Sequence, residues 1–195
     1  MLRLFLADIS GIDPDKAAEL LPPQRLEKMR RLRTTESKQQ CAAAYLLLCR
    51  AANALGISPE YTVGRNGKPD FTDGRYHFSL SHSGKYALCA VSDVSVGADI
   101  ELPRADYAKI AQRFFTKDEA LLCTTPDSFC RIWTQKESYI KALGLRLSAL
   151  GSFSVTAPPE GVCFSHFAHD GYHISVCAVG NEQPPCVELC DLKKH

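Results

Sequence analysis

The sequence predicts an α+β fold built as a pseudo-dimer of two similar α/β halves, residues 1–94 and 95–195, and three observations predict it. Short segments recur in the same order in both halves: FLADIS at 5–10 with VGADIE at 96–101, ALGIS at 54–58 with ALGLRLS at 142–148, and LCAVSD at 88–93 with VCAVGN at 176–181. Each half reads as an opening strand, a helical stretch ending in Ala-Leu-Gly, and closing β-rich segments. At 195 residues the chain suits one sizeable core or two small, intimately packed halves, not several independent domains.

The elements follow in order. Leu2 to Asp8 is an apolar β-run that opens the first half. A long helix is expected from about Ser37 to Leu55, because Ala44, Leu47, Leu48, Ala51 and Leu55 recur at helical spacing, and Gly56 stands where such a helix stops. Asn66-Gly67, Asp73-Gly74 and Ser83-Gly84 are turn signals around a β-rich stretch from Phe78 to Val91. Val94 to Leu102 opens the second half as a strand, and Thr116-x-x-Glu119 is a capping box that starts a helix. The segment WTQKESYIKAL is helical up to Gly144, Phe153 to Val155 and His173 to Val179 read as strands, and Pro158-Pro159 and Pro184-Pro185 break the last third.

Composition excludes several function classes. With 23 basic and 22 acidic residues, global charge offers no reason for a nucleic acid or membrane partner. The best apolar window, CAAAYLLLC, is half the roughly 18 residues a membrane span needs. Arg3 and Asp8 interrupt the amino-terminal apolar run, so no signal peptide is expected and the protein should be cytoplasmic. Nine cysteines, an odd number lying largely in apolar runs, are expected to be reduced and buried; Cys186 and Cys190 lack the further ligands of a zinc site.

Three segments hold the candidate chemistry. Asp99 and Glu101 flank Ile100, and the period of a strand puts both carboxylates on one face, where a hard cation such as Mg²⁺ would offset their repulsion; a solvated strand edge is the plain alternative. Trp133, Glu137 and Lys141 lie at i, i+4 and i+8 on one helix face, so a buried indole would draw the acid and the amine inward. FSLSHSGKY joins a β-run to a Ser-His-Ser-Gly turn whose hydroxyls, imidazole and free N–H groups suit phosphate oxygens. The stretch from Arg25 to Arg33 is locally basic and reads as a solvated helix face or a phosphate contact.

Taken in order, GKPDF at 67–71, FSLSHSGKYALCAVS at 78–92, VGADIE at 96–101, RFFTKDE at 113–119 and WTQKESYIKALGLRLS at 133–148 resemble the signature blocks of the surfactin-type 4′-phosphopantetheinyl transferases. The resemblance implies two similar α+β halves with the active site in the cleft between them. It implies that Asp99, Glu101 and Glu137 hold Mg²⁺, or Mn²⁺ in its place, against the pyrophosphate of coenzyme A as co-substrate. By the same likeness Lys141 lies near the transferred phosphate, Ser81 and His82 contact phosphate, Lys68 and Pro69 flank the adenine nucleotide, and Arg25 and Lys28 sit near the 3′-phosphate. Glu137, Lys141 and His82 are the implied catalytic residues. Gln39 and Gln40 depart from the pattern where a basic residue is expected, which leaves Lys38 as a substitute.

The implied reaction is attack of a serine hydroxyl of an apo acyl or peptidyl carrier protein on the β-phosphate of coenzyme A, with release of 3′,5′-adenosine bisphosphate. The carrier protein is a transient partner, for which Phe114 and Phe115 are candidate contacts if they are not core, and a monomer is expected because two halves already form the cleft. A metal-dependent phosphodiesterase and a non-catalytic nucleotide-binding module are the competing classes: the first would hydrolyse nucleotide without an acceptor, the second would bind without turnover.

Overall fold

A computed structural model describes residues 1–64, 66–180 and 185–192. Asn181, which ends the third sequence echo, and Pro184, of the last proline pair, lie outside the described residues.

The first strand, β1 (Leu2–Asp8), is buried on both faces because two layers cover it. Phe5 and Ala7 face one apolar cluster while Leu2, Leu4 and Leu6 face another, the period-two alternation of a strand between layers. Helices α1 (Pro14–Ala18) and α2 (Pro23–Arg30) follow, then the long α3 (Thr35–Leu55). The Thr34 hydroxyl caps α3 by accepting from the Ser37 N–H at 3.1 Å, so the helix starts two residues before the expected Ser37. Its Ala-rich side lets the backbone lie close on the sheet beneath, burying ten of its residues.

A short ribbon, β2 (Tyr61–Val63) with β3 (Pro69–Phe71), leads to β4 (His77–Ser83) and β5 (Tyr86–Ser92). Strand β6 (Val96–Glu101) follows, then α4 (Tyr107–Phe114), α5 (Lys117–Leu122) and α6 (Pro126–Leu143). A 3₁₀ turn, Leu147–Ser152, precedes β7 (Val162–His169), β8 (Tyr172–Val179) and β9 (Cys186–Cys190).

Two sheets result, ordered β4-β5-β1-β9 and β6-β8-β7. Between them lies an apolar layer in which Leu4, Leu6, Leu88 and Ala90 meet Val96, Ala98, Ile100, Ile174 and Val176. Helix α3 covers the outer face of the first sheet, and α6 that of the second. Helix α6 sits directly on β6 at Gly97, where an added Cβ would come within 1.9 Å of the Ser138 carbonyl oxygen and 2.4 Å of the Ala142 nitrogen. Only glycine permits that approach, and the two residues after it in register with the helix are Asp99 and Glu101.

Two expectations about elements change. Phe153 to Val155 is not a strand: the Phe153 carbonyl accepts from Lys136 Nζ at 2.7 Å and the Val155 N–H donates to Glu119 at 2.7 Å, so side chains occupy the groups a ladder would need. Strand β9 lies parallel to β1, with Arg3 paired to Glu188, so residues 186–190 complete the sheet of the opposite half. All nine cysteines are free; Cys41, Cys89, Cys130 and Cys177 are buried, whereas Cys186 is exposed.

Candidate active site

Strands β4 and β6 are edge strands of different sheets, and they run alongside each other where the sheets meet. At that seam a cavity of about 780 Å³ opens between α2, α3, the β2–β3 ribbon, β4, β6 and the end of α6. Asp99, Glu101, Glu137 and Lys141 line one end of it. Ser81 and His82 line the seam, and Lys68, Pro69, Arg25 and Lys28 line the other walls. All ten residues singled out from the sequence therefore share one cavity, whereas Lys38 and Gln39 do not line it. Gln40 does, but its amide donates to the Gly84 carbonyl at 3.1 Å, and Gln39 donates to the Ile12 carbonyl at 2.9 Å; both brace backbone.

The acidic end is held asymmetrically. Lys141 Nζ reaches Asp99 Oδ1 at 2.6 Å and also bonds the Ser81 hydroxyl at 3.0 Å and the Ala98 carbonyl at 3.2 Å. The lysine thus pairs with Asp99 on the strand beneath α6 rather than with Glu137 one turn before it on the helix. Ser81 donates to Asp99 Oδ1 at 2.7 Å, which leaves Oδ2 buried with no partner. Burial first, then Asp99 and Glu101, push the Glu137 carboxyl up to about 7, with Lys141 opposing. Glu101 is raised by burial and by Asp99, with Ser83 opposing through a hydrogen bond at 3.1 Å. Two carboxyls raised by burial and by their neighbour Asp99, beside an Asp99 oxygen buried without a partner, form a donor set whose repulsion a hard cation would offset.

Among the described residues, no group of three or more His, Cys, Asp or Glu side chains stands arranged to hold a metal ion. The donors present nevertheless fit a hard divalent ion: all are oxygens, and Asp99 Oδ2 is free to bind.

His82 faces the cavity from an otherwise exposed position; its imidazole is lowered, first by the protein packed around the ring and then by Lys141, Lys28 and Arg25, and it can donate or accept a hydrogen bond there. Arg25 is buried on α2, its guanidinium 6.0 Å from the Tyr61 ring centre and its Nε without a partner. Lys68 lines the cavity with its stem. Its ammonium is turned into the C-terminal end of α6, on the Ala142 carbonyl at 2.5 Å and Ser95 Oγ at 2.9 Å.

Trp133 sits half-buried against Phe129, Phe115 and Phe114, at centroid separations of 5.7, 6.2 and 6.4 Å. Phe115 is buried and stacks on Phe129 at 5.3 Å, so it is core; Phe114 packs against the same cluster but is only partly buried. Ser83, whose hydroxyl the sequence offers to phosphate as part of the Ser-His-Ser-Gly turn, instead donates to Glu101 at 3.1 Å; its period-two spacing from Ser79 and Ser81 is the signal for that role.

Residues 95–190 match the family model of the 4′-phosphopantetheinyl transferase superfamily. The chain is 32% identical to a 4′-phosphopantetheinyl transferase of Bacillus subtilis, over 87% of each chain. It is 29% identical to the 4′-phosphopantetheinyl transferase Sfp of Bacillus subtilis strain 168, over 93% of this chain and 92% of that one. With the 4′-phosphopantetheinyl transferase AcpT of Salmonella typhi the identity is 30%, over 91% and 92% respectively.

Proposed function

This chain belongs to the 4′-phosphopantetheinyl transferase superfamily, and from that premise we propose that the cavity at the β4–β6 seam is its active site, with Asp99, Glu101 and Glu137 as metal ligands. The enzyme transfers the 4′-phosphopantetheine arm of coenzyme A to an apo carrier protein. A bond forms between the carrier serine oxygen and the β-phosphorus as the bond from that phosphorus to the bridging oxygen breaks. The serine proton passes to a base, and 3′,5′-adenosine bisphosphate leaves.

The observation that supports this site is the unsatisfied acid group: Asp99 Oδ2 buried without a partner between two carboxyls with raised affinity for a proton. Mg²⁺, or Mn²⁺, bound there supplies Lewis-acid neutralisation of the pyrophosphate. The protein's own groups do the positioning. Lys141, fixed by Asp99 and Ser81, presents positive charge beside the transferred phosphate, and His82 offers a hydrogen bond from the cavity wall. Arg25 and Lys28 give the far wall its charge for the nucleotide phosphates, with the free Arg25 Nε as one donor. Ser81 serves phosphate only through Lys141 and Asp99, since its hydroxyl is already engaged by them.

The division into halves 1–94 and 95–195 is part of the same proposal, as are the cleft between them, a monomeric state and a cytoplasmic location. Its support is local: α3 and α6 each end in Ala-Leu followed by a left-handed glycine, and the residue after each glycine bonds back five positions, Ile57 to Ala52 at 3.0 Å and Leu145 to Ile140 at 2.8 Å. Among the described residues no helix is long and apolar enough to cross a membrane.

The deciding experiment is intact mass of a purified apo carrier protein incubated with this enzyme and coenzyme A, with and without Mg²⁺. A gain of about 340 Da that requires metal is the expected result. A gain that is indifferent to chelator removes the metal assignment, and nucleotide hydrolysis with no carrier present favours the phosphodiesterase class.

A further inference from the structure

Strand β4 presents three serines to the second sheet at period two, and each bonds a different part of β6. Ser79 Oγ accepts from the Ala98 N–H at 3.0 Å, Ser81 Oγ donates to Asp99 Oδ1 at 2.7 Å, and Ser83 Oγ donates to Glu101 Oε2 at 3.1 Å. Both strands are sheet edges, so this hydroxyl ladder replaces the backbone ladder that would otherwise join them. It aligns the acid strand of one sheet from the edge of the other.

The last rung differs from the other two. Asp99 is held by Lys141 as well as Ser81, but among the described residues Ser83 is the hydrogen-bond partner of the Glu101 carboxylate. Glu101 is the longer acid, at the end of its strand, with three side-chain torsions to fix. The hydroxyl engages Oε2, and Glu101 itself lines the cavity.

Ser83 is itself fixed from the second sheet. The next residue, Gly84, has φ +49°, and an added Cβ there would come within 2.2 Å of the Tyr172 hydroxyl. The Lys85 N–H donates to that hydroxyl at 3.3 Å, and Tyr172 opens β8, whose next residue, His173, is opposite Glu101 in register. The turn after Ser83 is therefore seated on the strand that sets the position of Glu101.

We propose that Ser83 is a positioning residue, which orients Glu101 for the divalent cation through its hydroxyl while touching neither substrate nor metal. Partners that orient ligand side chains in this way commonly govern metal affinity about tenfold or more. The proposal rests on the assignment of Glu101 as a metal ligand, so the test separates the two.

Mn²⁺ binding to the full chain is followed by the electron paramagnetic resonance signal of free Mn²⁺, with and without coenzyme A, for the wild type, Ser83→Ala, Ser83→Thr and Asp99→Ala. The expected result is a single tight class of sites in the wild type that Asp99→Ala abolishes, Ser83→Ala weakens about tenfold, and Ser83→Thr restores. In turnover assays Ser83→Ala should need correspondingly more metal, with the KM for coenzyme A unchanged at saturating metal. Wild-type affinity in Ser83→Ala overturns the positioning role and leaves the ligand assignment standing. A loss that threonine fails to restore also overturns it, because the effect would then come from packing and not from the hydroxyl. Absence of Mn²⁺ binding by the wild type overturns the ligand assignment itself, and this proposal with it.

Discussion

Two carboxylates in this protein face lysines of the same helix, and their surroundings are opposite. Glu119 and Lys136 have no side-chain exposure at all and pair at 2.7 Å. Glu119 also accepts from the Thr116 N–H and hydroxyl, each at 3.0 Å, the Val155 N–H at 2.7 Å and Ser154 Oγ at 3.3 Å, while Lys136 lies 4.3 Å over the Phe153 ring. Burial alone would raise that carboxyl, but these partners outweigh it and hold Glu119 below its ordinary range. Five residues further along α6, Lys141 pairs with Asp99 at 2.6 Å, yet one Asp99 oxygen is left with nothing, and Glu101 and Glu137 are raised. The same helix thus saturates one buried acid and leaves a group of acids unsaturated. Full saturation is how a fold makes a buried charge tolerable. Its absence at the cavity marks a place where the missing partner arrives from outside.

The sharpest way to break this comparison is at the unsaturated end. Asp99→Ala and Glu137→Gln should each lower kcat/KM for carrier modification by about two to three orders of magnitude; the unfolding midpoint should stay near that of the wild type in Glu137→Gln, whereas Asp99→Ala also takes a partner from Lys141 and Ser81 and should lower it. Full activity in either variant would remove that residue from the site. At the saturated end the pattern should invert. Lys136→Met leaves Glu119 buried and unpaired, and should destabilise by about 3–5 kcal/mol in denaturant unfolding. Lys136→Met combined with Glu119→Leu should recover most of that loss, because the uncompensated charge is gone. If the single and double variants are equally unstable, hydrogen bonds to Thr116 and Val155, not the charge pair, hold the region.

Trp133 belongs to the saturated side of the molecule. Its ring fills the aromatic cluster with Phe115 and Phe129, although its Nε1 is buried without a partner. Trp133→Ala should cost about 3 kcal/mol, the low end for such truncations because the ring is only half-buried. An unchanged unfolding midpoint would place the ring outside the core.

The acids, the lysine and both Ala-Leu-Gly helix ends were legible in the sequence because they follow local rules: strand period for Asp99 and Glu101, helical spacing for Glu137 and Lys141, left-handed glycine for the caps. What stayed hidden depends on contacts between distant segments. Nothing in Phe153 to Val155 announces that its backbone groups serve Lys136 and Glu119. The parallel pairing of β9 with β1 joins residues more than 180 positions apart, and nothing local to Lys68 announces that its ammonium is held by Ala142 and Ser95. The spacing Thr116-x-x-Glu119 shows a capping box, which the structure has, but not the second use of Glu119 as a buried counter-ion.

The smallest expected effect tests a third kind of saturation, by neutral groups. Behind β8, His166 Nδ1 lies 3.0 Å from Ser175 Oγ, whose hydroxyl contacts Thr134 at 2.8 Å. Its Nε2 lies 3.3 Å from His173 Nδ1, and His173 reaches Asp127 at 3.2 Å. Burial first, then His173 and Arg131, push His166 down to about 4 from 6.5. The folded-state value is the lower one, so between 6.5 and about 4 the unfolded chain takes up a proton that the folded chain refuses. Stability should therefore fall as pH drops through that window, by no more than about 1.4 kcal/mol per pH unit from this residue. Denaturant midpoints of wild type and His166→Gln, compared from pH 7 to pH 4.5, should converge as pH falls. Parallel curves would show that His166 is protonated within the fold, and that this network, unlike the one around Glu119, admits a charge.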